Sequence, residues 1–203
     1  MQMKTKGRSN AARSAEMRAR LVATARRLFV AEGYGGASTP AIVTAAGVTR
    51  GALYHHFPDK QAIFRAVIEA EAEAVACAIA EADAPGMSAM DRLLAGSGAY
   101  LRAMQEDGRV RLLLIDGPAV LGQAAMRTIE ARQGEGALRL GLEEAMDEGA
   151  IAPLPLGPLS SLLAAMFERA AMDLAEGAPA APVRATIEAI LRGLARSSPA
   201  PRT

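Results

Sequence analysis

Forty-six of the 203 residues are alanine, and that excess constrains the fold more than any other feature. Alanine is the strongest helix former. The β-branched and aromatic residues that favour strands are scarce, with aromatics at 3% and no tryptophan. The chain is therefore expected to be all-α, and an all-β domain is excluded. Hydrophobic residues, at 51%, suffice for a packed core. A length of 203 residues suits one or two small domains.

The longest apolar runs, such as residues 112–115, fall far short of the roughly 18 residues a membrane span needs. The N-terminal stretch is basic and polar with no apolar run, so no secretory signal is expected. A single cysteine, Cys77, excludes an internal disulfide framework and fits a reducing compartment. A cytoplasmic location with no membrane partner follows as the expectation.

The net charge of +1 hides an asymmetry. Residues 1–60 carry ten basic side chains against three acidic ones, a net of +7. Residues 61–203 carry 13 basic and 19 acidic side chains, a net of −6. A basic first third on an acidic remainder points to a polyanion at one end. Basic N-termini also serve solubility alone, so charge by itself leaves the partner open.

Glycine, proline and hydroxyl residues punctuate the chain densely. Residues 1–10 are polar and cationic without hydrophobic period, and are expected to form a disordered basic arm. A helix is expected over residues 11–32, with Leu21, Ala25, Leu28 and Phe29 spaced by threes and fours. Gly33, Gly35 and Gly36 end it. Ser38-Thr39-Pro40 supplies a hydroxyl cap and a proline that open a short helix, closed by Gly47. Thr49 caps a second short helix that Pro58 stops. Asp59 caps a long helix over residues 60–82. Beyond Pro85-Gly86, further helices are expected at 88–105, 109–116, 118–148, 158–176 and 179–196. Gly134 and Gly136 are candidate kinks in the long 118–148 segment, and the tail after Ser197 is expected to fray.

Two short helices joined by Gly47-Val48-Thr49 match a helix-turn-helix, whose second helix enters the DNA major groove. At about 100° per residue, Leu53 and Phe57 stack on one side and must point inward with Val48. Gly51, Ala52 and His55 lie opposite, Arg50 and Tyr54 form one flank, and His56 forms the other. Two small residues at the front let the helix backbone approach base edges. The flanking Arg, Tyr and His can donate to phosphates, and Arg can also read guanine. Lys60, in the first turn of the next helix, can share a phosphate with a backbone N–H. The competing reading is a structural helical hairpin with a solvated Tyr-His-His face.

The stretch STPAIVTAAGVTRGALYHHFPDKQAIFRAVIE, residues 38–70, resembles the DNA-binding domain of the tetracycline-repressor (TetR) family. Its most specific part is AAGVTRGALYHHFPDK, residues 45–60, preceded by LFVAEGYGGAS at residues 28–38. The similarity covers about residues 11–70. It implies a helix-turn-helix DNA-binding domain, residues 11–59, followed by a larger helical ligand-binding and dimerisation domain, residues 60–203. It further implies a one-component regulator, typically a repressor, that binds a palindromic double-stranded operator as a homodimer. By position, Thr39 would cap the first short helix and touch phosphate. Thr49, Arg50, Gly51 and Ala52 would meet the major groove. Tyr54, His56 and Lys60 would grip the backbone, with His55 between base and phosphate. Pro40 departs from the pattern, since members often carry there a polar residue that reaches DNA.

An enzymatic or other non-regulatory role for the large domain is the alternative. Both histidines fall in the expected recognition helix, so no Ser-His-Asp arrangement can form in the large domain. His55 and His56 lie about 100° apart on the helix, poor geometry for shared metal ligation. Cys77 sits among alanines and reads as a buried thiol rather than a nucleophile. Glu143-Glu144 and Asp147-Glu148 read as a solvated helix end. No catalytic group, metal site or cofactor is therefore expected.

The last two helices carry wide apolar stripes. Leu159, Leu162, Leu163, Met166, Phe167, Ala170, Ala171 and Leu174 mark one; Val183, Ile187, Ile190, Leu191 and Leu194 mark the other. Pairing with symmetry mates in a four-helix interface would cover both stripes, although part of each must cover the protomer's own core. A pocket for a small apolar or aromatic effector, weakly polar at one end, is expected among helices of residues 60–176. Met104, Met126 and Met166 are candidate adaptable walls, and Tyr100, Asp116 and Gln123 are candidate polar contacts. The 60–82 helix would relay occupancy to the DNA reader.

Overall fold

The computed structural model describes residues 10–133 and 135–195. The expected basic arm up to residue 9, the kink residue Gly134 and the tail after Ser197 lie outside these residues. The described chain is all-α. Helices α1 (Asn10–Gly36), α2 (Thr39–Ala46), α3 (Arg50–His56) and α4 (Lys60–Ala80) come first. After α5 (Ala89–Met104), a π-helical segment (Arg111–Asp116) runs into α6 (Gly117–Leu121). Then follow α7 (Gln123–Gln133), α8 (Glu135–Asp147), α9 (Leu156–Ala175) and α10 (Ala180–Gly193). Among the described residues the only β pairing is one bridge, Ile151 to Ala195.

The caps follow the sequence closely, with one correction. Thr49 Oγ1 accepts the Ala52 N–H at 3.2 Å, and Asp59 Oδ1 accepts the Ala62 N–H at 2.7 Å. The cap of α2 is Ser38, not Thr39: Ser38 Oγ accepts the Ala41 N–H at 3.2 Å. Pro40 then falls at the second helical position, where its missing N–H costs nothing, and Thr39 is left free to face α3.

Three backbone departures matter more. Helix α1 does not stop at Glu32 but bends at Gly33, where φ is 71°, and resumes to Gly36. The left-handed backbone at that position is what requires glycine; an added side chain would also push aside the tip of the Arg111 guanidinium. The expected α-helix over 109–116 is π-helical over Arg111–Asp116, and Gly117 does not break it. A Cβ at Gly117 would lie 2.9 Å from the Leu112 carbonyl oxygen and 3.0 Å from Met126 Sδ, so its bareness lets α7 approach the π-turn. The single helix expected over 118–148 is divided, first at Gly122 with φ 81°.

Two apolar cores result. One runs from Leu21, Phe29, Leu53 and Phe57 through Ile63, Phe64 and Ile68 to Leu112 and Met126. The second lies under α5 and α8–α10, around Leu101, Leu142, Phe167, Ile187 and Leu191. Cys77, read from sequence as buried, is exposed on α4, because the core side of that helix is already filled by Glu71 and Val75. Glu144 and Glu148, read as a solvated helix end, hold Arg92 of α5 at 3.1 and 3.0 Å. They tie α5 to the end of α8.

A buried carboxylate joins the first four helices to the rest. Glu71 on α4 is only 5% exposed. Its Oε1 accepts from Arg26 Nε at 2.8 Å, and its Oε2 accepts from Arg26 Nη2 at 3.0 Å and Arg109 Nε at 2.9 Å. Arg26 also reaches the Asp107 carbonyl at 3.0 Å, and Arg109 the Ala103 carbonyl at 2.6 Å. Burial alone would raise the Glu71 carboxyl; the hydrogen bonds and charges of Arg26 and Arg109 outweigh it and hold the group below its ordinary value.

Removing that charge strands two guanidiniums. Glu71→Gln is expected to lower stability by about 3 kcal/mol in chemical denaturation. Because folding depresses this carboxyl, its contribution is complete above the ordinary carboxylate range and is lost as pH falls through the lower folded value. The wild type should therefore lose stability steeply in acid, and Glu71→Gln should lose less over the same range.

Candidate nucleic-acid interface

Helix α3 is seated by its own inward residues. Leu53 is fully buried and Phe57, its C-cap, is 3% exposed. Gly47 at φ 62° makes the left-handed turn that lets Val48 enter the core and Thr49 start α3. Arg18 of α1 lies over the Phe57 ring at 5.1 Å, which fixes α3 against the first helix. The outward face is then Thr49, Arg50, Gly51, Tyr54 and His55, all exposed, with Ala52 and His56 at its edges.

This face is organised. The Arg50 guanidinium sits 5.4 Å from the Tyr54 ring centroid. Hydrogen bonds from the Thr39 and Arg50 side chains hold the Tyr54 phenol below its ordinary value. Thr39 thus meets the recognition helix rather than capping its own. His55 and His56 lie edge to face, 5.2 Å apart. At Gly51 an added Cβ would meet nothing nearer than Thr49 Oγ1 at 4.0 Å; no packing within the chain demands glycine there.

Lys60 is placed differently from the other basic groups. Its Nζ donates to the Gly35 carbonyl at 3.4 Å and lies 4.4 Å from the Tyr34 ring centroid. The ammonium is drawn back onto the end of α1, and Asp59 already takes one amide at that helix start.

The second region is a cavity of about 460 Å³ bounded by α4, α5, the π-helical segment and α7–α9. Tyr100, Met104 and Met126 line it. Three other sequence candidates do not. Asp116 is ion-paired with Arg111 at 3.2 Å, Gln123 is exposed at the start of α7, and Met166 packs on the second core. The break at Gly122 resets the face of α7, and the cavity side of α9 carries Ala164 and Glu168 instead. Sequence reading missed Glu168 and Phe167; an acid set directly after Phe167 in the apolar run of α9 was the available signal. It also missed Arg26, Glu71 and Arg109, whose spacing of 45 and 38 residues leaves no local trace.

The family profile described as bacterial regulatory proteins, tetR family, matches residues 21–67. The tetracyclin repressor-like C-terminal domain matches residues 90–197. The chain belongs to the TetR family. A TetR-family transcriptional regulator of Pectobacterium atrosepticum is 31% identical, with 94% of this chain and 99% of that one covered, at a TM-score of 0.72. Reduced NemR of E. coli shares the fold at 20% identity and a TM-score of 0.73, with 91% of this chain and 100% of that one covered. Among curated proteins, the transcriptional regulator SrpR of Pseudomonas putida is 43% identical over 61 residues, 30% of this chain and 29% of its own length. The transcriptional repressor AcnR of Corynebacterium efficiens is 40% identical over 57 residues, 28% of this chain and 30% of its own length. The chain therefore matches less than a third of the length of these curated relatives. This TetR-family chain is a DNA-binding transcriptional regulator with an N-terminal helix-turn-helix and a helical C-terminal domain.

Gly47, in the turn, and Gly51, inside α3, should respond oppositely to alanine. Gly51→Ala adds a side chain into open space on a helix and is expected to stabilise by roughly 0.5–1 kcal/mol. Gly47→Ala forces alanine into the left-handed region and is expected to cost about 1 kcal/mol or more. Thermal unfolding of the two variants checks both signs.

Proposed function

We propose that the chain is a ligand-responsive repressor that binds a palindromic operator as a homodimer. Residues 11–59 act as the DNA reader, preceded by a basic arm at 1–10. Residues 60–203 bind the effector and dimerise. The observation that carries this reading is the outward face of α3, where Gly51 is bare although no neighbour within the chain fills its space. A helix front without side-chain bulk, flanked by Arg50 and Tyr54, suits close approach to base edges.

In this reading Thr49, Arg50, Gly51 and Ala52 meet the major groove. Thr39, Tyr54, His56 and Lys60 hold phosphates, and His55 lies between. Thr39 and Arg50 pre-set the Tyr54 phenol, so that group reaches the backbone with little rotamer freedom left to lose. Lys60 has to share its ammonium with Gly35, so its phosphate contact is the weaker one. The two readers of a dimer would present to successive major grooves about 34–36 Å apart.

Dimerisation is assigned to α9 and α10. Leu163, Phe167, Ile187 and Leu191 are taken up by the protomer's own core. Leu162, at 72% exposure, and Ile190, at 43%, are left outward, and these would pack on a second copy. The cavity supports a small apolar or aromatic effector. Its occupancy reaches the reader through α4, whose start adjoins α3, and through the π-helical segment, whose Arg111 faces the Gly33 bend. A cytoplasmic location fits this role.

Gel shifts with the DNA upstream of the chain's own gene test the reader. Arg50→Ala should weaken binding at least tenfold and reduce the salt slope by about one. Gly51→Ala should weaken it while the fold is kept. Unchanged binding in both variants would contradict the assignment. Sedimentation tests the dimer: Leu162→Glu with Ile190→Glu should yield monomer, since neither side chain supports the protomer core.

A further inference from the structure

The cavity is mainly alkyl and aromatic, yet charged side chains reach it: Arg92, Arg127, Glu130 and Glu168. Their situations differ. Arg92 is committed elsewhere, donating to Glu144, Glu148 and the Met87 carbonyl. Arg127 is exposed on α7, where water screens it. Glu130 is engaged within the chain. Glu168, half-buried on α9, receives no hydrogen bond and no ion pair among the described residues.

A carboxylate removed from water without a partner is costly. Burial raises the Glu168 carboxyl above its ordinary value. Tyr100 responds to the same surroundings: burial first, then the charges of Glu168 and Glu130, push its phenol well above its ordinary value. The Tyr100 and Phe167 rings stand 5.9 Å apart on the same wall. Negative charge, two aromatic rings and an apolar lining thus meet in a volume within the range of about 300–1,000 Å³ usual for ligand sites.

We propose that this cavity takes an organic monocation with a hydrophobic body, its charge placed against Glu168 and beside the Tyr100–Phe167 pair. The proposal rests on the reading of the cavity as the effector site and names the class of ligand it selects. Such a cation supplies the charge partner that Glu168 lacks. Its body displaces water from the alkyl walls, and the ring faces add cation–π attraction. An anion of the same shape would confront the Glu168 carboxylate. Lipophilic amines, amidines and quaternary onium ions share the required chemistry.

Tetraphenylphosphonium and tetraphenylborate have nearly the same shape and opposite charge, so titration calorimetry of the full chain with each isolates the charge. The phosphonium should bind at least tenfold more tightly than the borate. Glu168→Gln, with its helical circular dichroism retained, should weaken the phosphonium about tenfold and leave the borate unchanged or tighter. Glu188→Gln, on α10 in an exposed pair with Arg192, should alter neither. Equal or tighter borate binding, binding of neither ion, or indifference to Glu168→Gln would overturn the proposal. Phosphonium binding that depends on Glu168 but leaves DNA affinity unchanged would sustain the cation site and contradict the effector reading. Loss of the cation preference alongside DNA release by neutral compounds would do the reverse.

Discussion

Glu71 is the point on which the two ends of the molecule meet. One carboxylate in α4 holds Arg26 of the first helix and Arg109 of the connection after α5, with all three charge-assisted bonds at 3.0 Å or less. Arg26 and Arg109 then each bond a main-chain carbonyl near the end of α5. A buried ion with its partners removed is far costlier than one never buried. The helices bearing these three residues are therefore fixed relative to one another, and they include the helix that carries the reader and the region that bounds the cavity.

What hangs on that junction is a short mechanical path. Leu113 and Leu114 of the π-helical segment face the cavity, while Arg111 in the same turn lies against the bend at Gly33. The bend leads directly to α2 and α3. Gly117 keeps α7 close to this turn through Met126, which also lines the cavity. π-Turns inside helical stretches recur at functional sites because their extra residue distorts the hydrogen-bond ladder. Here the distorted turn packs between the cavity lining and the Gly33 bend that leads to α2 and α3.

Much of this architecture was legible from residue types alone. Thr49 and Asp59 mark their helix starts because a hydroxyl or carboxylate at a cap acts locally, and the inward placement of Leu53 and Phe57 follows from helical spacing. Ser38 and Thr39 compete for one cap, and only the path of the chain decides between them. The π-turn was hidden because six residues are too few to separate one helical period from another. Tyr100, Met104 and Met126 share the cavity; Gln123 is left outside by the break at Gly122, Asp116 is held by Arg111, and Met166 packs on the second core. Glu71 was illegible for a different reason. Its partners lie tens of residues away, and an acid on an alanine-rich helix looks solvated until the fold brings the arginines to it.

The central claim is that α3 presents its small-residue face to the major groove from two reading heads. Guanine N7 lies on the major-groove edge, and the acceptor at adenine N3 lies in the minor groove. Methylation interference on a bound upstream fragment separates the two directly. The account predicts interference at guanine N7 in two clusters one helical turn apart, or a multiple of that spacing, related by a two-fold axis. Interference confined to adenine N3, or spread uniformly along the fragment, would contradict it.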